Sequence, residues 1–243
     1  MFWDVHSHVV PSGDDGVASV AEGLSLCREA AARGTSILYA TPHVWPHLIL
    51  TEEREEAVRA AHAEMAPRAA EYGLELALGF ELTPDAELLE QDLARYRLGE
   101  LPAVLVELPF AGPLDVAERV AEAIEAAGLV PVVAHPERAD EVIENLDRAV
   151  RLAERGWLLQ LNATSVLGYH GPMPRETAWA LLAEGAVGLV GSDGHRAARP
   201  PYLDEAFAAV RERVGEERAR PLFDGSALRR LAVRDGLHLA ERG

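Results

Sequence analysis

The sequence contains no lysine, and all 23 of its basic side chains are arginines. Mechanisms that depend on a lysine are therefore excluded, both the Schiff base and the P-loop lysine that holds nucleotide phosphates. The formal net charge of -17 opposes binding to nucleic acids and to anionic membrane surfaces. No arginine-rich block offsets this charge, so nucleic acid is not an expected partner.

Cysteine is nearly absent as well. Cys27 is the single cysteine, so the chain can form neither an internal disulfide nor a zinc site built on cysteine. Cys27 and Arg33 have the Cys-x5-Arg spacing of thiol phosphatases, but the residues between them are helix formers without glycine. Helical amides are already hydrogen-bonded and cannot turn toward a phosphate. We therefore predict that Cys27 is a buried helix residue and not a nucleophile.

The sequence also lacks a long hydrophobic run. No apolar stretch approaches the roughly 20 residues that a helix needs to cross a bilayer. Residues 1–4 lead directly into a strand-like pattern, with no basic segment of the kind that opens a secretion signal. We expect a soluble, cytoplasmic protein with no membrane insertion.

What is present is an alternation of strand-like and helix-like segments. Seven apolar runs of strand length lie at Phe2–Val5, Ser36–Ala40, Leu74–Phe80, Ala103–Val106, Leu129–Ala134, Trp157–Leu161 and Val187–Gly191. Helix-like segments, most of them ended by a glycine, lie at Val17–Arg33, Thr51–Tyr72, Val116–Ala127, Asp147–Arg155 and Arg175–Glu184. Strands separated by helices predict parallel βαβ units, and the tail from Leu203 predicts two or three more helices.

A closed barrel and a doubly wound open sheet both fit this alternation. No glycine-rich phosphate loop follows the first strand, and polar residues close almost every strand instead of one or two. In a barrel, the carboxyl ends of all strands meet on one face, which carries the active site. The sequence therefore favours a barrel. Because no linker, repeat or low-complexity tract interrupts it, we predict a single domain over residues 1–243 with the C-terminal helices packed on it.

Histidine and carboxylate side chains cluster at the strand ends. His6 and His8 are two residues apart, so on a strand they face the same side and could ligate one ion; two satisfied core histidines are the alternative. Glu81 and Glu107 each end an apolar run, where burial is costly unless a metal ion or an arginine neutralises the charge. The Asp14-Asp15 pair fits an ordinary turn when taken alone.

Further candidate ligands follow the second, fifth and seventh strand runs: His43, His135, Asp193 and His195. The set consists of imidazoles and carboxylates without a thiolate, which favours Mn, Fe or Zn over Cu(I) or an iron–sulfur cluster. Two or three close cations can hold a phosphate and lower the pKa of a water molecule. Metal-assisted phosphoester hydrolysis is therefore the leading reaction class.

Two arginines, Arg138 and Arg199, lie nearest to these strand ends. The planar guanidinium group matches phosphate oxygens with two parallel hydrogen bonds. In a strongly acidic protein, two such groups beside a metal site indicate an anionic substrate group. Surface ion pairs with glutamates are the alternative.

The ordered set of motifs resembles the PHP superfamily (polymerase and histidinol phosphatase domains), and within it the bacterial capsule-type metal-dependent protein tyrosine phosphatases. The resemblance spans positions 4 to 202. It rests on Asp4-Val5-His6-Ser7-His8, Asp14-Asp15-Gly16, Thr41-Pro42-His43, Glu81, Glu107, His135-Pro136-Glu137-Arg138, residues 161–168, Ser192-Asp193-Gly194-His195 and Arg199-Pro200-Pro201-Tyr202.

This resemblance implies an α/β fold, namely a distorted seven-stranded (β/α)7 barrel of the PHP type. It also implies two or three bound divalent metal ions, with Mn expected first. It implies one metal held by His6, His8, Glu81 and Asp193, a second by Glu81, Glu107 and His135, and a third by Asp15, His43 and His195. Arg138, Arg199 and Asp193 are the implied catalytic residues. The implied substrate is phosphotyrosine on a bacterial tyrosine kinase tail that controls capsule or exopolysaccharide assembly.

Two other functions stay open at this point. One is a small-molecule phosphatase, such as a histidinol-phosphate phosphatase, and the other is a non-catalytic metal-binding module. All nine ligand positions are filled, which argues against loss of activity. The chain departs from the family pattern at Val44-Trp45, where relatives often have a second histidine, and at residues 222–226, which lack an Asn-Pro pair. The assembly state is open, a homo-oligomer included.

Overall fold

A computed structural model describes residues 1–234 and residue 236 of the chain. Its strands are β1 (Phe2–Ser7), β2 (Thr35–Ala40), β3 (His43–Val44), β4 (Glu75–Leu78), β5 (Glu81–Leu82), β6 (Ala103–Glu107), β7 (Val130–Ala134), β8 (Leu158–Asn162) and β9 (Val187–Gly191). Its α-helices are α1 (Val20–Ala32), α2 (Glu52–Ala70), α3 (Asp115–Ala126), α4 (Asp140–Glu144), α5 (Asp147–Glu154), α6 (Ala163–Leu167), α7 (Pro172–Glu184), α8 (Asp204–Val214), α9 (Glu216–Phe223) and α10 (Ser226–Arg234). Short 3-10 helices lie at Ala86–Glu90, Leu93–Tyr96 and Pro136–Arg138.

The strands form two parallel sheets. One has the order β1-β2-β4, and the other has the order β3-β5-β6-β7-β8-β9. Two of the predicted strands are each followed, after a short break, by a second strand that belongs to the other sheet. The segment Thr41-Pro42 separates β2 from β3, because proline has no N–H to donate to a ladder. The predicted strand Leu74–Phe80 is shorter, and Gly79-Phe80 separates β4 from β5.

Backbone hydrogen bonds also join the end of the first strand to the chain that follows the last. The amide of Asp193 donates to the carbonyl of His6 at 2.9 Å, and the amide of His8 donates to the carbonyl of Gly194 at 2.6 Å. Ser7 and Gly194 form an isolated parallel bridge. The carboxyl ends of β1 and β9 therefore lie side by side, although the two strands belong to different sheets.

The predicted helices are present with boundaries shifted by a few residues. Thr51 caps α2 as predicted, since its side chain accepts a hydrogen bond from the amide of Arg54. Helix α7 begins at Pro172, three residues earlier than predicted, because a proline fits the first turn of a helix. The tail forms α8, α9 and α10. Residues 235 and 237–243 of the predicted domain lie outside the described residues.

The core fills the space between the sheets and the helices. Phe2 packs against Phe207 with ring centroids 5.2 Å apart, and Phe207 packs against Phe223 at 5.4 Å, which holds α8 and α9 against the start of β1. Cys27 is fully buried in α1, as predicted, and burial raises the pKa of its thiol to about 12. A thiol that stays protonated is a poor nucleophile. Within residues 1–234 and 236, no helix is long and apolar enough to cross a membrane.

Candidate metal centre

The structure brings all nine predicted ligand residues together where the carboxyl ends of the strands meet. Eight of them are buried, and Asp15 is the exposed one. They are His6, His8, Asp15, His43, Glu81, Glu107, His135, Asp193 and His195. Strands β1, β3, β5 and β6 carry part of the set, and the residues that directly follow β1, β7 and β9 carry most of the rest.

Four buried residues form what we call the enclosed cluster: His6, His8, Glu81 and Asp193. One ligand atom from each lies within 4.8 Å of the others. His6 Nε2 is 2.9 Å from Glu81 Oε2 and 3.4 Å from Asp193 Oδ1. His8 Nε2 is 3.2 Å from both His6 Nε2 and Glu81 Oε2. Two imidazole nitrogens and two carboxylates therefore converge on one point, as a cation requires.

The second group, the inner cluster, consists of Glu81, Glu107 and His135. His135 Nε2 is 3.1 Å from Glu81 Oε1 and 3.9 Å from Glu107 Oε2. The hydroxyl of Thr83 donates a hydrogen bond to Glu107. Glu81 therefore directs one oxygen to the enclosed cluster and the other to the inner cluster, a geometry that suits a carboxylate bridging two ions.

The third group, the rim cluster, consists of His8, Asp15, His43 and His195. His195 Nε2 lies 3.1 Å from Asp15 Oδ1, and His43 Nε2 lies 3.7 Å from the same oxygen. The Asp15 side chain is 58% exposed, so this cluster opens to solvent. The resemblance implied three of these residues, and the structure adds His8, which belongs to the enclosed cluster as well.

Charge is distributed unevenly among the carboxylates. Burial alone would raise the pKa of Glu81, but the positive field of His6 and His43 outweighs it and holds that pKa well below its usual range. Glu107 has the opposite shift, because burial and the nearby negative charge of Glu81 raise its pKa to about 8. At neutral pH the cation-free centre therefore holds an ionised Glu81 beside a largely protonated Glu107.

The residues at this site fit a group of divalent metal ions. Among the described residues, Glu81 Oε2 is buried without a hydrogen-bond partner although nitrogens of His6, His8 and His43 lie within 3.2 Å of it. Nδ1 of His43 is likewise buried and unpaired. Buried polar atoms that face one another without hydrogen-bond geometry are satisfied by a cation. The donor set of imidazoles and carboxylates suits Mn, Fe or Zn.

Two residues that the sequence analysis did not assign to the site orient its imidazoles. Gln160 Oε1 is 2.8 Å from His6 Nδ1, and Asp14 Oδ2 is 3.3 Å from His8 Nδ1. Such contacts select the ring tautomer and direct the other nitrogen to a metal. Gln160 could have been recognised as a polar residue inside an apolar strand, two positions before Asn162 and on the same face. Asp14 belongs to a motif shared with the family, but its turn sequence gave no indication of a role in the site.

The backbone is unusual at two site residues. His135 has a φ of 35° and Asp193 a φ of 52°, and among the described residues these are the non-glycine positions in the left-handed region. Each costs about 1–3 kcal/mol, and such costs concentrate at functional sites. Gly194 follows Asp193, and a Cβ at this position would lie 2.6 Å from Pro201, so glycine allows the returning loop to approach.

Two guanidinium groups lie at the mouth of the centre. Arg138 Nη1 is 3.3 Å from Asp193 Oδ2, and its guanidinium lies 4.2 Å above the ring of Phe110. Arg199 Nη2 is 3.7 Å from Asp193 Oδ1 and also contacts the ring of His195. Both arginines line a cavity of about 190 Å³, together with six of the nine ligand residues. The mouth therefore presents two guanidinium groups among carboxylates and imidazoles.

Comparison with known proteins identifies the family. Residues 2–231 match the family profile described as "Capsular polysaccharide synthesis, CpsB/CapC". The chain belongs to the CpsB/CapC family. The resemblance to capsule-type tyrosine phosphatases, read from the motifs, is therefore confirmed.

Individual relatives of this CpsB/CapC protein are distant but collinear. It is 29% identical over 231 residues to the tyrosine-protein phosphatase YwqE of Bacillus subtilis, covering 93% of this chain and 90% of that protein. It is 27% identical over 237 residues to the tyrosine-protein phosphatase CpsB of Streptococcus agalactiae serotype III, covering 90% and 94%. A solved structure from work on YwqE and Streptococcus pneumoniae CpsB, described as unique metal-dependent tyrosine phosphatases, matches with a TM-score of 0.83 at 27% identity, covering 98% and 96%.

An aromatic side chain of this CpsB/CapC chain adjoins the rim cluster. The ring of Trp45 stacks on His43 with centroids 4.4 Å apart. The exposed His47 ring also stacks on Trp45, with centroids 5.2 Å apart. The indole therefore covers one face of the His43 ring and restricts how that imidazole can turn.

Proposed function

We propose that this chain is a metal-dependent protein tyrosine phosphatase that removes phosphate from phosphotyrosine in a protein linked to capsule or exopolysaccharide synthesis. One observation carries the proposal. Three contiguous clusters of imidazole and carboxylate ligands lie beside two arginines that line a cavity open to solvent. The names of the relatives YwqE and CpsB support the choice of phosphotyrosine.

The clusters define which residues would hold the ions. The enclosed cluster would hold one, the inner cluster a second that shares Glu81, and the rim cluster a third that shares His8. We favour Mn, with Fe and Zn as the alternatives, because the donor set contains no thiolate. Divalent ions bound there supply an activated water and neutralise charge on a phosphate.

The other residues of the centre bind the phosphate or hold the phosphate-binding arginines in place. We assign Arg138 and Arg199 to the phosphate oxygens, since each presents a guanidinium at the mouth within 4 Å of Asp193. Phe110 supports Arg138 from below through its ring face. Asp193 holds both arginines in place and, through the amide of Asn162 at 2.8 Å, is itself held. A phosphate that enters this mouth therefore meets preorganised charge.

The number of strands bears on whether the two sheets form one barrel. If β2 and β3 count as one interrupted strand, and β4 and β5 as another, the described strands number seven. We propose that they form one distorted barrel in a single domain, closed by the hydrogen bonds between the ends of β1 and β9. We further propose that the enzyme works in the cytoplasm, on the tail of a bacterial tyrosine kinase.

Phosphate release tests this function. Protein loaded with Mn is expected to hydrolyse a phosphotyrosine peptide, and Asp193→Asn, which keeps the shape of the side chain, is expected to lose that activity. Histidinol phosphate is assayed alongside. Faster release from histidinol phosphate would replace the proposal with a small-molecule phosphatase, and an unchanged rate in Asp193→Asn would remove the metal centre from the mechanism. Absence of bound metal in elemental analysis, with no rise in melting temperature on adding Mn, would indicate a non-catalytic module.

A further inference from the structure

A second cavity adjoins the metal centre. It measures about 560 Å³ and lies between α6 with the loop that follows it and the loop that leads into α8. Arg199 lines both this cavity and the mouth of the metal centre. We call it the flanking cavity. A single side chain therefore separates it from the place where a phosphate would bind.

The walls of the flanking cavity are largely apolar and aromatic. Leu167, Ala198 and Pro200 contribute aliphatic surface, and the ring of Tyr169 is 70% exposed at its edge. An exposed aromatic ring beside an open apolar cavity is a common feature of sites that bind apolar groups.

The charged groups of the flanking cavity are already neutralised. Arg33 is 2.8 Å from Asp204 and 3.2 Å from Glu205, and its guanidinium lies 4.1 Å above the ring of Tyr202. Apart from Arg199, the described lining therefore offers no unpaired cation to a second phosphate or an acidic side chain. The chemistry of the walls suits a large apolar or aromatic group.

We propose that the flanking cavity binds a large apolar side chain located next to the phosphotyrosine in a peptide substrate. The inference rests on the proposed function. Neighbouring Cα atoms in a peptide are about 3.8 Å apart. A large side chain on the neighbouring residue can therefore lie alongside the phosphotyrosyl side chain. With the phosphate on Arg138 and Arg199, its end reaches the border of the mouth at Arg199, where the flanking cavity opens. The substrate class is thus a phosphotyrosine with an apolar or aromatic neighbour.

The test compares peptides that differ only beside the phosphotyrosine. One peptide has glycine on both sides, and two others have phenylalanine on the N-terminal or the C-terminal side. The Mn-loaded enzyme is expected to prefer one phenylalanine peptide by about tenfold in kcat/KM, the effect of burying one large apolar side chain. The measured quantity is the kcat/KM for the preferred phenylalanine peptide divided by the kcat/KM for the glycine peptide. A general loss of activity does not affect this ratio.

Two variants alter the flanking cavity in opposite ways. Tyr169→Ala removes a wall and Ala198→Trp fills the space, and each is expected to lower the preference to about twofold or less. The matched control is Ala183→Trp, the same change at an exposed alanine of α7 that lines neither cavity. It is expected to keep the tenfold ratio. A ratio near one in the wild type, or an unchanged ratio in both cavity variants, would overturn the inference.

A binding measurement separates this inference from the proposed function. The same peptides are made with a non-hydrolysable phosphonate in place of the phosphate, and fluorescence anisotropy gives their affinities. Tighter binding of a phenylalanine peptide without hydrolysis of any phosphotyrosine peptide would support the cavity and contradict the phosphatase. A wild-type ratio near one, together with a dimer that Ala198→Trp dissociates, would assign the cavity to a second copy of the chain and overturn the inference.

Discussion

The enclosed cluster and the rim cluster share His8 but are built differently. In the enclosed cluster every side chain is buried, and Gln160 and Asn162 hold His6 and Asp193 by hydrogen bonds of 2.8 Å. In the rim cluster one ligand position, Asp15, is largely exposed on a loop. An ion in the enclosed cluster would therefore be held by buried, hydrogen-bonded ligands, whereas one at the rim would be held partly by an exposed carboxylate and would be open to water.

The two arginines at the mouth also differ in their surroundings. Both arginines contact Asp193, but Arg138 rests on Phe110, whereas Arg199 also contacts His195 of the rim and is shared with the flanking cavity. Under the proposed function, one arginine would therefore bind the phosphate from the enclosed side of the centre and the other from the rim, beside the flanking cavity. The enclosed side of the centre is buried, and the rim side opens to solvent at Asp15.

Glu81→Gln should have the largest effect, because the carboxylate faces both the enclosed and the inner clusters. We expect loss of the ions of both and a fall in phosphatase rate of at least about a thousandfold. Elemental analysis and phosphate release measure the two effects. Retention of full metal content by the variant would contradict the bridging geometry and remove the distinction between the enclosed side and the rim.

Arg138→Ala should come next. Loss of a preorganised donor to the phosphate lowers kcat by about a hundredfold. Arg138→Lys keeps the charge but not the planar pair of donors, and it should recover only part of the rate. Steady-state kinetics of both variants, with metal content measured in parallel, separate phosphate binding from metal loss. Equal rates for Arg138→Lys and the wild type would show that charge alone matters there.

Gln160→Leu tests the hydrogen bonds that hold the enclosed cluster, without replacing a proposed ligand residue. Loss of the hydrogen bond to His6 Nδ1 should weaken Mn binding by about ten- to a hundredfold. Competition with a chelating dye gives the affinity. Gln91→Leu, the same change at the other glutamine of the chain, is the control. If both variants bind Mn equally well, these hydrogen bonds do not contribute.

Asp15→Ala tests the rim and should have a smaller effect, roughly a tenfold loss of rate, since water can replace an exposed carboxylate oxygen. We expect one ion fewer per chain while the enclosed ions remain. Asp115→Ala, an exposed aspartate at the start of α3, serves as the control. A loss as large as that of Glu81→Gln would mean that rim and enclosed clusters are equally essential.

The smallest expected effect is on the stability of the metal-free protein. The pKa of Glu107 is raised from 4.5 to about 8 in the folded state, so between these values the folded state holds more protons than the unfolded chain. The free energy of unfolding must therefore fall as pH rises through this interval. Melting temperature measured in chelator should decrease from pH 6 to pH 9, and the decrease should be smaller in Glu107→Gln. An identical slope in that variant would assign the pH dependence to other groups.

Much of this architecture could be predicted from the sequence. The apolar runs that precede His6, Glu107 and Asp193 were visible in the sequence because buried parallel strands are apolar until they reach a site. The short strands β3 and β5, which follow two of the predicted strands in the other sheet, were not visible, because sheet membership depends on partners distant in the chain. Asp14 and Gln160 were missed for a related reason, since a residue that orients a ligand has no spacing rule of its own.

The sequence by itself determined which chemistry is available: imidazoles, carboxylates and arginines at strand ends, with neither lysine nor an accessible cysteine. It did so because composition and the two-residue period of strands are local properties. Only the tertiary structure decided that Glu81 faces two clusters, that His8 is shared between two, and that Arg199 stands between the metal centre and an apolar cavity. Those relations depend on distances between residues far apart in the chain, which are set by the packing of the two sheets and the returning loops.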